Sequence, residues 1–215
     1  MQQSNSTDTG TENGQNLCEF CQYTTISPYI LKETDNFSIV ADHAPLVEGH
    51  LLIVPKQHYA CYGAVPATRD GELLALKQEV RAFFVDFYAA PVHWEHGIFH
   101  QTVFHAHLHC FPFGETHYQL TEGLHDLVVP SQDDIRAWYA TQGQYFYLED
   151  SRFALLFAPQ TDHYRRVIQQ ALWSGVVART GNSTWRSPQQ RQVEGVASIA
   201  SLKEKWQQFQ QQKVV

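Results

Sequence analysis

Charge is scarce in this chain. Only 17% of its 215 residues are Asp, Glu, Lys or Arg, and 15 basic against 22 acidic residues leave a net charge of −7. Duplex nucleic acid is held chiefly by basic surfaces that neutralise phosphates, so this composition excludes a broad grip on a duplex and allows at most a local pocket for one nucleotide. Long apolar runs are missing as well. No segment approaches the ~20 residues of a membrane helix, and residues 1–15 carry neither the basic start nor the apolar stretch of a secretion signal, so a cytoplasmic protein with no membrane partner is expected. Cysteine is sparse: Cys18, Cys21, Cys61 and Cys110 are too few for a disulfide scaffold of this size, and the close pair reads as metal-binding or redox. Neither of the common Gly-rich phosphate loops occurs, nor does an internal repeat.

What is present is enough apolar residue, 43%, to fill a core. Residues 1–16, mostly Gln, Ser, Thr, Asn and Gly, have no hydrophobic periodicity and read as a disordered tail. Two branched runs, Phe37–Ala41 and His50–Pro55, predict neighbouring antiparallel strands joined through Pro45 and Gly49. From Asp70, a candidate N-cap, apolar residues at 73, 76, 80, 83, 84 and 87 recur at helical spacing up to Pro91, which predicts one amphipathic helix on the sheet. Strict alternation over Thr102–Phe111 predicts a strand with His105, His107 and His109 on one face and Phe104, Ala106, Leu108 and Cys110 on the other. Further on, Tyr145–Leu148 and Phe153–Phe157 read as a hairpin, followed by a helix capped by Thr161 or Asp162 that carries Val167, Ile168 and Leu172. Residues 180–198 read as loop, and Leu202–Gln212 as a short Gln-rich helix seated by Trp206 and Phe209.

Histidine is unevenly placed: eleven of the twelve lie between His43 and His125. On a strand, alternate residues are ~6.6 Å apart and the outer two of three ~13 Å apart. With metal–nitrogen bonds of ~2.0–2.1 Å, a single ion cannot reach all three rings, so at least one imidazole is left as nucleophile or base. Cys18 and Cys21 can supply two thiolates to Zn²⁺, and His58 with His105 completes a closed tetrahedral set, a structural site on which the start of the domain is tied to the sheet.

The run His105-Ala-His-Leu-His-Cys-Phe111 resembles the signature of the histidine triad (HIT) superfamily of nucleotide hydrolases and transferases. The likeness extends upstream through Asp42, His50-Leu-Leu-Ile-Val-Pro-Lys-Gln-His58, Glu95-His96-Gly97 and Gln101-Thr102. The resemblance implies an α+β fold with an antiparallel sheet of about five strands and a long helix packed against it. It divides the chain into a HIT domain over 17–115 and a C-terminal extension over 116–215.

The same resemblance implies the chemistry. The middle histidine, His107, would attack the α-phosphorus of a nucleoside phosphate ester, anhydride or phosphoramidate and carry a nucleotidyl group. His109 and Gln101 would donate to the phosphate oxygens, Thr102 would contact phosphate or leaving group, and Asp42 would accept from the ribose hydroxyls with His50 nearby. His105 would ligate zinc beside the Cys-x-x-Cys pair, as in zinc-bearing relatives. The alternative is a non-catalytic module that binds a nucleotide or an RNA end while the C-terminal half recruits a partner; many relatives are homodimers, and the extension can equally replace the second subunit. Many members place a basic residue after Pro112, where this chain has Phe113 and Gly114.

Overall fold

The computed structural model describes residues 18–115, 126–128, 131–152, 154–165, 169–182 and 186–213. The strands β1 (Ile30–Glu33), β2 (Phe37–Ala41) and β3 (Leu51–Pro55) form an antiparallel meander in which Phe37 faces Pro55 and Ala41 faces Leu51. Helix α1 (Asp70–Phe87) follows, then β4 (Val92–Glu95) and β5 (Leu108–Phe111). The register Leu51↔Cys110 and Leu52↔His109 seats β5 between β3 and β4. Alternation then sends Ile39, Ile53, Leu108 and Cys110 to one face, under α1, and Leu52 and His109 to the other. On α1, Leu73, Leu76, Val80, Phe83 and Phe84 are buried. Each such side chain contributes roughly 1.5–3 kcal/mol of burial free energy, which holds the helix on the sheet.

Five strands therefore belong to the part read as the HIT domain, and the sheet does not stop there. Beyond it lie β6 (Asp126–Val128), α2 (Gln132–Gln142), β7 (Phe146–Glu149) and β8 (Ala154–Phe157), and β7 pairs with β4 through Trp94↔Leu148. The result is one eight-stranded sheet of order β1-β2-β3-β5-β4-β7-β8-β6, against the five or so strands expected. Helix α3 (Gln169–Thr180) lays Leu172 and Val176 over Trp94, Phe111, Phe146, Leu148, Leu155 and Phe157, on the face that carries His109. Its closest approach is at Gly175, where an added Cβ would meet the Phe113 ring at 2.4 Å.

Several local readings are corrected. The strand expected over Thr102–Phe111 begins only at Leu108. Residues 102–105 form a bent segment closed by a His105 N–H to Val103 carbonyl bond of 2.8 Å, which leaves Phe104 64% exposed instead of packed beside Ala106. Asp70 is the first helical residue and its carboxylate pairs with Arg136 at 2.6 Å, so it is not the N-cap. Residues 180–198, read as loop, contain α4 (Pro188–Glu194), and the last helix, α5 (Val196–Gln212), starts six residues before Leu202. Polar composition hid α4, whose start is fixed by Pro188 and a Ser187/Gln190 capping box. The tail over 1–16, together with Phe153, Val167 and Ile168, lies outside the described residues. No helix among the described residues is long and apolar enough to cross a membrane.

Candidate active site and metal centre

The three histidines separate into two environments, and only His109 lies on β5 itself. His105 precedes the strand, is fully buried, and points its Nε2–H at the Pro55 carbonyl at 2.7 Å. Its Nδ1 lone pair consequently faces Cys18 Sγ at 3.4 Å and Cys21 Sγ at 3.5 Å, while His58 Nδ1 lies 3.3 Å from Cys21 Sγ. All four donor atoms fall within 4.8 Å of one another. Bonds of ~2.3 Å to sulfur and ~2.0–2.1 Å to nitrogen in a tetrahedron put S and N ligands about 3.5 Å apart. The thiol and imidazole donors fit Zn²⁺ in number, type and spacing.

Two residues on, His107 is 6% exposed and its Nδ1–H donates to the His105 carbonyl at 2.7 Å. That bond fixes the tautomer and leaves the Nε2 lone pair available. Burial lowers its basicity, opposed by the His105 carbonyl, so the ring is neutral. His109 is likewise held well below the ordinary histidine value by burial, with His107, His50 and His96 adding to the effect. His50, 2% exposed and pushed down to about 4 by burial, presents Nε2 to His109 Nδ1 at 3.0 Å. The Leu46 amide, which can only donate, faces His50 Nδ1 at 3.4 Å. His50 therefore donates through Nε2 to His109, and His109 Nε2 carries a proton to offer. Asp42 lies beside the row: its Oδ2 is 3.5 Å from His50 Nδ1, two acceptors with no proton between them, and its Oδ1 accepts from the Ala44 amide at 2.7 Å.

Gln101 is buried, but one N–H of its amide is committed to the His105 carbonyl at 2.8 Å and its Oε1 meets no protein donor. Thr102 is exposed at the rim. The structure thus brings Cys18, Cys21, His58 and His105 into one cluster and Asp42, His50, His107 and His109 into one row, with Gln101 joined to that row through His105.

The family model described as "HIT domain" matches residues 24–116. That segment is similar to the HIT domain family. Among solved structures, the chain is similar to a Zn-bound histidine triad family protein from Mycobacterium smegmatis at 24% identity, covering 59% of this chain and 96% of that one, with a TM-score of 0.40. It is also similar to a hypothetical histidine triad nucleotide-binding protein from Sulfolobus tokodaii (19% identity, 79% and 100% covered, TM-score 0.41). A HIT family hydrolase from Clostridium thermocellum matches at 23% identity, with 49% and 97% covered and a TM-score of 0.41. No curated protein matches the chain.

Several residues around the three histidines carry no signal in the local hydrophobic pattern. Phe20, in the turn between the two cysteines, sets its ring 5.3 Å from that of His107 and packs against Val40, Leu52 and Val54. Its place inside the Cys-x-x-Cys motif was the available signal, because any ion held there anchors that turn. His96 touches His109, Phe146 and Tyr164 at ring separations of 5.9, 5.6 and 6.1 Å, so the extension supplies one wall. The loop between His96 and Gln101 is strained, with Ile98 at φ 83° and His100 at φ 57°, outside the comfortable range of side-chain-bearing residues. Packing of Ile98 onto the core and of Gly97 against Tyr145 holds it there.

Proposed function

We propose that the protein is a HIT-type nucleotide hydrolase or nucleotidyltransferase. The observation that carries this reading is the bond from His107 Nδ1–H to the His105 carbonyl, which leaves a neutral Nε2 lone pair uncommitted beside a second imidazole that keeps a proton. His107 Nε2 attacks the α-phosphorus of a nucleoside phosphate ester, anhydride or phosphoramidate. A P–N bond forms, the bond to the leaving group breaks, and the leaving group departs with its electron pair and takes up a proton. Water or another acceptor then attacks the same phosphorus, breaks the P–N bond and releases the nucleotide. His109 Nε2–H donates to a non-bridging oxygen, where negative charge grows, and the second N–H of Gln101 does the same. Thr102 contacts phosphate or leaving group at the rim. Asp42 accepts from the ribose hydroxyls, beside His50.

Cys18, Cys21, His58 and His105 would hold a structural zinc ion, which supplies a cross-link between the Phe20 turn and the sheet. This division of labour leaves His107 free of metal. The domain spans 17–115, and the extension over 116–215 completes its wall; pairing of β7 onto β4 favours a chain that needs no second copy at that edge.

Incubation with adenosine phosphoramidate, diadenosine polyphosphates and nucleotide sugars tests the reading. Turnover lost in His107→Ala, with the fold and zinc retained, is the expected result; turnover that survives removes His107 from the chemistry. Tight mononucleotide binding with no turnover of any substrate would favour a binding module instead.

A further inference from the structure

Helix α4 and the start of α5 lie against the loop between β2 and β3, the loop that carries Asp42 and leads to His50. At Gly195, where the two helices meet, an added Cβ would stand 2.6 Å from Pro45 Cδ, so the extension touches this loop with no room for a side chain. Next to it, half-buried Arg191 donates through Nε to the Ala44 carbonyl at 3.0 Å and through Nη1 to the Arg186 carbonyl at 2.8 Å. Ala44 is also the residue whose amide holds the Asp42 carboxylate, at 2.7 Å. Hydrogen bonds thus run from the extension to the acidic residue, Arg191 to the Ala44 carbonyl and the Ala44 amide to Asp42, which itself lies 3.5 Å from His50. The Asp42 charge also acts on Arg191, opposing the burial that lowers its basicity.

We infer that Arg191 is a positioning residue for the ribose end of the site: by pinning the Ala44 carbonyl to α4 it fixes the Asp42 carboxylate, so that discrimination in favour of a nucleotide with free 2′ and 3′ hydroxyls depends on the extension. The inference rests on the reading of Asp42 as the ribose acceptor. A guanidinium suits the task because its planar fork spans two carbonyls at once, and a carboxylate held at one oxygen by a fixed amide can meet a diol without paying for its own ordering. The extension on this view is part of the nucleotide site and not a separate recruiting arm.

Calorimetric titration of the full chain with AMP and GMP, and with their 2′,3′-dideoxy counterparts, tests this. The wild type is expected to prefer the ribonucleotides by about tenfold, the worth of one or two hydrogen bonds to a charged group. In Arg191→Met, which keeps the alkyl stem, that preference falls towards onefold while dideoxynucleotide affinity stays within about twofold. Arg191→Lys carries the same expectation at smaller amplitude, because one ammonium cannot span both carbonyls, and it serves if the methionine variant is insoluble. Combining Arg191→Met with Asp42→Asn should cost no further discrimination than Asp42→Asn alone. A folded Arg191 variant that keeps the wild-type ribose preference, or that weakens both nucleotide types equally, overturns the inference. A wild type that binds none of the four nucleotides overturns the functional reading beneath it, which is a different result.

Discussion

Replacing Glu95 by Gln perturbs a carboxyl group buried in the main core, and the consequence for stability can be worked out in advance. Glu95 is 2% exposed; it accepts from the Tyr62 amide at 2.7 Å and from the Tyr145 hydroxyl at 2.6 Å, and that hydroxyl in turn accepts from the Gly63 amide at 2.9 Å. Burial raises its pKa from 4.5 to about 7, against the opposing pull of Tyr145 and Tyr62. Between those values the unfolded chain has released the proton and the folded chain still holds it. The native state then binds more protons, so stability falls as pH rises through the window. At about 1.4 kcal/mol per unit, the fall amounts to about 3 kcal/mol by the upper end. Glutamine does not titrate. Urea unfolding of wild type and Glu95→Gln between about pH 5 and about pH 8 should show a stability difference that shifts by about 3 kcal/mol in favour of the variant as pH rises, contributions common to both cancelling. Parallel curves would refute the assignment of a proton to this group.

Other expectations are simpler to state. Metal analysis should find one zinc per chain, lost in Cys18→Ser together with a large drop in melting temperature, because structural zinc contributes on the order of 10 kcal/mol of apparent binding energy; full zinc retention in that variant contradicts the four-ligand site. Gly97→Ala places a Cβ 2.5 Å from the Tyr145 carbonyl at a φ of +50°, a backbone contact that cannot yield, and should cost more than about 2 kcal/mol in chemical denaturation. An unchanged midpoint would mean that the strained loop relaxes freely. Phe83→Ala empties the centre of a cluster with Phe84, Phe87, Trp206 and Phe209 and should cost about 3–5 kcal/mol, measured in the same way.

The parts of this fold that could be read from the chain are those where one periodicity dominates. The α1 stripe and the β2 and β3 runs have the burial their patterns require, and the Cys18, Cys21, His58 and His105 cluster follows from donor chemistry and strand spacing. The failures have physical causes. Over Thr102–Ala106 the alternation is present, but the bend before β5 lets Phe104 swing outward, and alternation alone does not distinguish a strand from an extended bend. Helix α4 buries no apolar side chain, its one valine being exposed, and lies on a loop, so its stability comes from a cap and from Arg191, neither of which leaves a hydrophobic signal. That the hairpin of β7 and β8 would continue the sheet from β4 was not in the local pattern either, since strand partners are chosen by long-range packing against α3. The row of Asp42, His50 and His109 joins residues up to 67 positions apart in the chain and needed the register of β3 on β5.

The central claim is that His107 itself becomes covalently bonded to phosphorus. Rapid quenching of the wild-type protein during turnover of adenosine phosphoramidate, followed by intact-mass and peptide mass spectrometry under alkaline conditions, tests it most directly. One adenylyl group per chain is expected, acid-labile, on the peptide containing His107 and localised to that residue. An adduct on any other side chain, or steady turnover with no adduct formed under any quench, would contradict it.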